Sequence, residues 1–195
     1  MLKMIMVYIH LLTTCIALAT VLKADRRLWA WRKKPLDSTR LGYLQSTQRT
    51  ASTTLAILWF SGLMLITLGY LQDGAQYLAN PKLWAKVTVV ILLTINGGLL
   101  HSIAFPALQK RIAFIALPVS ERAKLALLGA ISGCSWLFAA FLGIARPWNK
   151  VMPYGEVMLV FCCIAAAAIL TGITLAIGLG RNEPANWLST SAHGA

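Results

Sequence analysis

The chain has 195 residues, of which 58% are hydrophobic and only 12% are charged. This balance excludes an ordinary soluble globule and is typical of a protein with several membrane-spanning segments. The formal net charge of +12 would suggest nucleic acid in a soluble chain. Here the basic residues lie between apolar runs, where lipid head groups and membrane topology account for them, so we expect a lipid bilayer as partner and no nucleic acid.

The apolar runs predict the fold class. Each approaches the roughly 20 residues that cross the hydrocarbon core of a bilayer. The runs are Met4–Leu22, Thr53–Leu71, Leu83–Phe105, Lys124–Ala145 and Val157–Leu179. The sequence therefore predicts one all-α domain over residues 1–195, a polytopic bundle of five transmembrane helices.

The first run looks superficially like a signal peptide, with a small-residue stretch at Ala17–Ala19. Only Lys3 precedes the run, His10 interrupts it, and the basic cluster follows it. A signal peptide has the opposite arrangement, with its positive charge first. We interpret the run as a retained helix.

A basic segment, residues 23–52, follows the first run and sets the orientation. Its positive charges greatly outnumber Asp25 and Asp37, which indicates a cytoplasmic loop. The second helix is expected to extend into this segment, with Asp37 or Ser38 as its N-cap. We expect the membrane to be a bacterial inner membrane. Because successive connections alternate between its two sides, the N-terminus is then on the outer side and the C-terminal tail, with Arg181, is on the cytoplasmic side.

The third run carries three polar side chains, Lys86, Asn96 and His101. Such groups are costly at membrane depth and need a reason to be there. At 1.5 Å per residue, His10 and Lys86 lie roughly 10 Å and 5 Å below the outer surface, so they can meet if the first and third helices are neighbours. The alternatives are a snorkelling Lys86 and a His10 hydrogen-bonded between helices. Asn96 is expected to join helices, and His101 to lie near the inner surface.

Two further charged residues fall on the outer side, at the end of the fourth helix and the start of the fifth. They are Arg146 and Glu156, for which an interfacial ion pair or a lipid contact is expected. Gly129–Gly133 and Ala165–Ala168 are small-residue stretches that predict close helix contacts.

The motifs of soluble enzymes are missing from the sequence, including a Ser/His/Asp set, HExxH and a Gly-rich phosphate loop. Whether the protein is an enzyme therefore stays undecided at this level. The cysteines have no CxxC spacing and are interpreted as small apolar residues in helix packing: Cys15, Cys134, Cys162 and Cys163.

Two cofactors are compatible with the outer polar residues. A haem could be held by His10, with Lys86 as second ligand or propionate partner. His101 lies about 15 Å deeper than His10 and cannot share that haem, and His193 in the tail is a poor candidate. Copper is the alternative, with His10 and the methionines of the same side as soft ligands, although methionine is also a common core residue: Met4, Met6, Met152 and Met158.

The stretch ANPKLWAKVTVVILLTINGGLLHSIAFPAL, together with His10, resembles a family of small bacterial integral membrane proteins. That family is similar to the haem-containing membrane protoporphyrinogen oxidases (HemJ-like) and to CopD-type copper-resistance membrane proteins. The resemblance covers roughly residues 1–110 and is specific at His10 and Trp84–Lys86. It implies a b-type haem, with the family's first-helix histidine matched by His10 and its later lysine by Lys86.

The leading hypothesis is therefore a haem-associated inner-membrane protein with a redox role. His10 would be the axial ligand, Lys86 its partner, and Arg146 a propionate contact. Electrons or hydrogen would pass to a quinone or to a membrane protein partner. The alternatives are a copper-handling or transport protein, and a structural subunit of a larger membrane complex.

Overall fold

A computed structural model describes residues 1–178 of the chain, and this part contains helices and turns but no strand. The α-helices are α1 (Leu2–Trp31), α2 (Ser38–Asp73), α3 (Ala75–Leu78), α4 (Pro81–Leu99), α5 (Phe105–Gln109), α6 (Val119–Ile144) and α7 (Tyr154–Gly178). A π-helical turn, Leu100–Ala104, joins α4 to α5, and short 3₁₀ turns lie at Phe114–Ala116 and Arg146–Trp148.

Within residues 1–178, five helical segments are long and apolar enough to cross a membrane, which confirms the predicted five-helix, multi-pass architecture. They are α1, α2, the continuous segment Pro81–Gln109, α6 and α7. The end of the predicted fifth run at Leu179 lies outside the described residues, as do Arg181 and His193.

The basic segment 23–52 is mostly helical rather than an irregular loop. α1 continues to Trp31 and α2 already begins at Ser38, so the connection is only residues 32–37. Asp37 is the N-cap of α2, and its carboxylate accepts a hydrogen bond of 2.8 Å from the backbone N–H of Arg40. The physical reason is local, because Pro35 interrupts the helix and Asp37 satisfies an otherwise free N–H of the next one.

The third span contains a local irregularity that the hydropathy pattern does not reveal. Pro106 has no N–H and cannot bond back to the carbonyl of Ser102, so a regular α-helical ladder is interrupted there. The chain widens into the π-helical turn, in which the N–H of Phe105 bonds to the carbonyl of Leu100. The helix then resumes to Gln109.

The spans form two tightly packed pairs. α1 packs along α2, α6 packs along α7, and α4 lies against α6. One buried cluster joins α4, α6 and α7, and a second, with Ala17, Leu93 and Trp136, joins α1, α4 and α6. α4 is therefore the central span on which the two pairs meet.

A close contact between α6 and α7 lies at a glycine of α7 and uses one residue of the predicted stretch Gly129–Gly133. Gly172 of α7 lies against the carbonyl of Ala126 and the side chain of Ala130, with a Cβ position 3.5 Å and 3.7 Å from them. Gly129 faces open space, and Gly133 instead faces a carboxylate oxygen of Asp25. Within the predicted stretch it is thus Ala130, and neither of the two glycines, that lies against α7. Ala165 and Ala168 of the second predicted stretch pack against the α4–α6–α7 cluster.

Different hydrogen bonds join the helices at the two ends of the bundle. We call the end where α1 begins the amino end, at which Lys3 bonds Gln72 at 2.6 Å and Asn80 bonds Asn149 at 2.5 Å. We call the other end, with connections 32–37 and 110–118, the basic end. There the N–H of Ile115 donates to the carbonyl of Arg32 at 3.2 Å and joins the two connections.

Candidate functional site

His10 bridges the first two spans near the amino end. Its Nδ1 lies 2.8 Å from Oγ of Ser61 in α2, and the ring is half-buried. Ser61 itself is only 1% exposed. The sequence did not single out this serine, because a serine within an apolar run is common and only its contact gives it a role.

The Ser61 hydroxyl fixes which nitrogen of a neutral His10 carries the proton. Its single hydrogen is already donated to the carbonyl of Ile57, one turn back, at 2.7 Å. The hydroxyl can therefore only accept from His10, so Nδ1 bears the hydrogen. The other ring nitrogen, Nε2, then keeps a free lone pair.

Lys86 on α4 lies close enough to His10 for an electrostatic interaction. Its side chain is half-buried, with no hydrogen bond or ion pair to another described residue. Its charge nevertheless interacts electrostatically with the His10 ring. The structure thus brings Lys86 toward His10 at the amino end of the bundle, from the central span α4.

Lys82, one turn before Lys86, is a functional-site neighbour that the sequence reasoning missed. It is 6% exposed, and its Nζ donates a hydrogen bond of 2.6 Å to the carbonyl of Ala145 at the end of α6. An ammonium group at a helix C-terminus satisfies a free carbonyl and complements the helix dipole. The available signal was the i, i+4 spacing of the two lysines, which places both on one face.

Arg146 and Glu156 lie at the same end but do not meet. Both are exposed, and neither side chain forms a hydrogen bond or an ion pair with another described residue. The ion pair expected between them is therefore not formed. The lipid contact remains the expectation for both, and Arg146 has no recorded contact with His10.

Asn96 joins helices, as the sequence predicted. It is 3% exposed, and its amide nitrogen donates to the carbonyl of Leu128 in α6 at 3.0 Å. His101 lies far from His10, beside α2. Its Nδ1 is hydrogen-bonded to the side-chain nitrogen of Gln48, and the ring is exposed.

Three of the proposed copper ligands lie in different surroundings. Met4 is 70% exposed, whereas Met152 and Met158 pack against the α4–α6–α7 cluster. Within residues 1–178 no group of three or more His, Cys, Asp or Glu side chains could hold a metal ion. All four cysteines are free thiols.

The chain is thus a multi-pass membrane protein whose described part has five helices that can span a bilayer, with a His10–Ser61 pair and a nearby lysine at one end. Comparison with known protein families, with characterised proteins and with solved structures gave no match.

Proposed function

We propose that the protein is a small haem-associated membrane protein with a redox role, in which Nε2 of His10 is an axial ligand of a b-type haem. The observation that carries this proposal is the hydrogen bond from His10 Nδ1 to Ser61 at 2.8 Å. It leaves the opposite nitrogen with the lone pair that an iron needs.

A histidine that ligates a metal usually donates its other ring N–H to a protein acceptor, which orients the ring and raises its basicity. Ser61 supplies that acceptor, and Ser61 is itself held by Ile57. The half-buried ring also keeps an edge that protein does not cover. His10 therefore fits the requirements for one axial ligand.

Lys86 fits the second requirement, a positive group near the histidine. A haem carries two propionates, and burying an anion at membrane depth requires a cationic partner. Lys86 already interacts with the His10 ring, whereas Arg146 is exposed and serves this role less well. When bound, the haem supplies one-electron chemistry, while the chain holds and orients it.

The test is a dithionite-reduced minus oxidised visible spectrum of the full-length protein, purified in detergent after expression with haem supplied. We expect b-type bands in the wild type and their loss in His10→Ala, with unchanged membrane insertion. Ser61→Ala keeps the ligand but removes its acceptor, so haem affinity should fall about 10- to 100-fold. His101→Ala is the matched control and should keep the pigment, because His101 lies beside Gln48.

Full haem content in His10→Ala would overturn the proposal. So would a wild-type protein that stays colourless although haem is supplied.

A second candidate function, a structural subunit of a membrane complex, is favoured by one face of α7. Cys162, Cys163, Ala166 and Ala167 lie on that face and are all exposed. Small side chains let another helix approach closely within a bilayer. This function predicts a colourless protein that co-purifies with a partner in mild detergent and loses it on Ala166→Leu.

A further inference from the structure

Two side-chain hydrogen bonds link α2 to α4 at different heights. The indole N–H of Trp59 donates to Oγ1 of Thr94 at 3.0 Å. Seven positions further along the same span, in the π-helical turn after α4, Nδ1 of His101 is hydrogen-bonded to Gln48 of α2. At 1.5 Å per residue these bridges lie about 10 Å apart along α4.

The surface of α4 between the two bridges is open. Gly97 and Gly98 lie four and three positions before His101, so they share its face of the helix, which is turned toward α2. A side-chain carbon added at either glycine would meet no atom within 4 Å. α2 and α4 are therefore separated by a gap, which we call the α2–α4 cleft, lined by Gln48, Trp59, Thr94, Gly97, Gly98 and His101.

The His101 ring offers the cleft a polar hydrogen without an acceptor among the described residues. Gln48 donates to His101 through its side-chain nitrogen, so Nδ1 accepts and Nε2 of a neutral His101 carries the hydrogen. Trp59 is already bonded to Thr94, and Thr94 donates to the carbonyl of Val90 at 2.8 Å. His101 is exposed at the start of the π-helical turn, a feature that occurs often at functional sites.

The chemistry of the lining restricts what can occupy the cleft. None of the six lining residues carries a fixed charge, so an anionic lipid phosphate finds no cation there. The cleft lies within a segment long and apolar enough to cross a membrane, so its occupant arrives from the bilayer. The indole of Trp59 offers a flat apolar wall, the glycines give room for a ring, and His101 offers a donor for a carbonyl oxygen.

We infer that the α2–α4 cleft binds the head group of a membrane quinone, with one carbonyl oxygen accepting the hydrogen bond from Nε2 of His101. A quinone is planar and uncharged, carries carbonyl acceptors on its ring and has its tail in the bilayer. This inference does not rest on the proposed haem, because the cleft is lined by different residues on different helices.

The test measures binding of a short-chain ubiquinone analogue to the full-length protein in lipid nanodiscs, together with photo-crosslinking by its azido derivative. We expect saturable binding and crosslinks on residues of the cleft. His101→Phe removes the donor and Gly98→Leu fills the gap, and each should weaken binding by about tenfold or more. Gly129→Leu on α6 is the matched control, because nothing lies within 4 Å of that glycine either, and it should keep wild-type affinity.

The absence of saturable binding in the wild type would overturn the inference, as would equal affinity in Gly98→Leu and the wild type. Crosslinks confined to lipid-facing positions outside the cleft would also do so, since they indicate partition into the bilayer alone. Should Gly98→Leu fail to fold by helical content, His101→Phe decides the outcome. Unchanged quinone binding in His10→Ala separates a failure of the haem proposal from a failure of this one.

Discussion

At the scale of single residues, two lysines one turn apart on α4 have different surroundings. Lys82 is buried and bonds the carbonyl of Ala145 at 2.6 Å, so its charge has a defined partner at the end of α6. Lys86 is half-buried and has no hydrogen bond to a described residue. We therefore assign Lys82 to holding the bundle together and Lys86 to the proposed cofactor.

Lys82→Met tests this assignment. Methionine keeps most of the apolar stem but removes the donor, which leaves the Ala145 carbonyl without its side-chain partner. Hydrogen bonds to charged groups contribute about 1.5–3 kcal/mol, so we expect a comparable loss in the free energy of unfolding, measured by detergent denaturation. Lys86→Met is the matched control and should change the free energy less. A larger effect of Lys86→Met would contradict the assignment.

At the scale of elements, the connection from α2 to α4 packs against α2 through the aromatic ring of Tyr77. The ring of Tyr77 lies directly over Gly69 of α2, where a side-chain carbon would stand 2.3 Å from the ring. Only glycine permits this approach. Burial, and secondly the charge of Asp73, raise the pKa of the Tyr77 phenol above its ordinary value.

Gly69→Ala should displace this ring. Because burial is the larger cause of the shift, a displaced Tyr77 should titrate at lower pH, closer to an ordinary tyrosine. The measurement is the tyrosinate absorbance between about pH 9 and 12, with Tyr77→Phe subtracted to isolate the one residue. Gly129→Ala, which has open space, is the control and should leave the titration unchanged. An unaltered Tyr77 titration in Gly69→Ala would contradict the close packing.

The raised pKa also gives the sign of a stability effect. The folded chain holds the phenolic proton more tightly than the unfolded chain does, so this contribution to stability is present below the ordinary tyrosine pKa. It is lost as pH rises through the raised value.

At the scale of the whole molecule, the odd number of spans within residues 1–178 places the start of α1 and the end of α7 at opposite ends of the bundle. The segment 23–52, which contains the connection 32–37 and the helix ends beside it, carries eight of the 18 Lys and Arg residues, whereas the connection 74–80 has none. The excess of Lys and Arg in cytoplasmic connections predicts that the basic end faces the cytoplasm.

Reporter fusions measure this orientation. Alkaline phosphatase fused after Gly74 should be active, and green fluorescent protein fused after Arg111 should be fluorescent. A fusion after Lys150 should behave like the one after Gly74. If the fusions after Gly74 and Arg111 report the same side, the five-span arrangement is wrong. If both report reversed sides, the fold stands and the predicted orientation is wrong.

The number of spans and the N-cap of α2 follow from the sequence. A bilayer demands long apolar helices, which hydropathy detects, and local chemistry such as the Asp37 cap and Pro35 sets where they stop. The prediction that Asn96 joins helices is also confirmed, because an amide at membrane depth needs a hydrogen-bond partner wherever its helix packs. The limits of the basic segment were harder to predict, because charged residues lower hydropathy without ending a helix.

The partners of the polar side chains depend on the tertiary structure alone. The hydropathy of α2 is the same whichever face it turns to α1, so Ser61 could not be paired with His10 in advance. The same holds for Gln48 and His101, for Lys82 and Ala145, and for the open glycines of α4. Sequence determined that this chain folds as five membrane-spanning helices, because burial of apolar surface is a property of each segment. The rotation and pairing of the helices decided where the candidate sites lie. Rotation and pairing depend on all the segments together, so only the tertiary structure shows them.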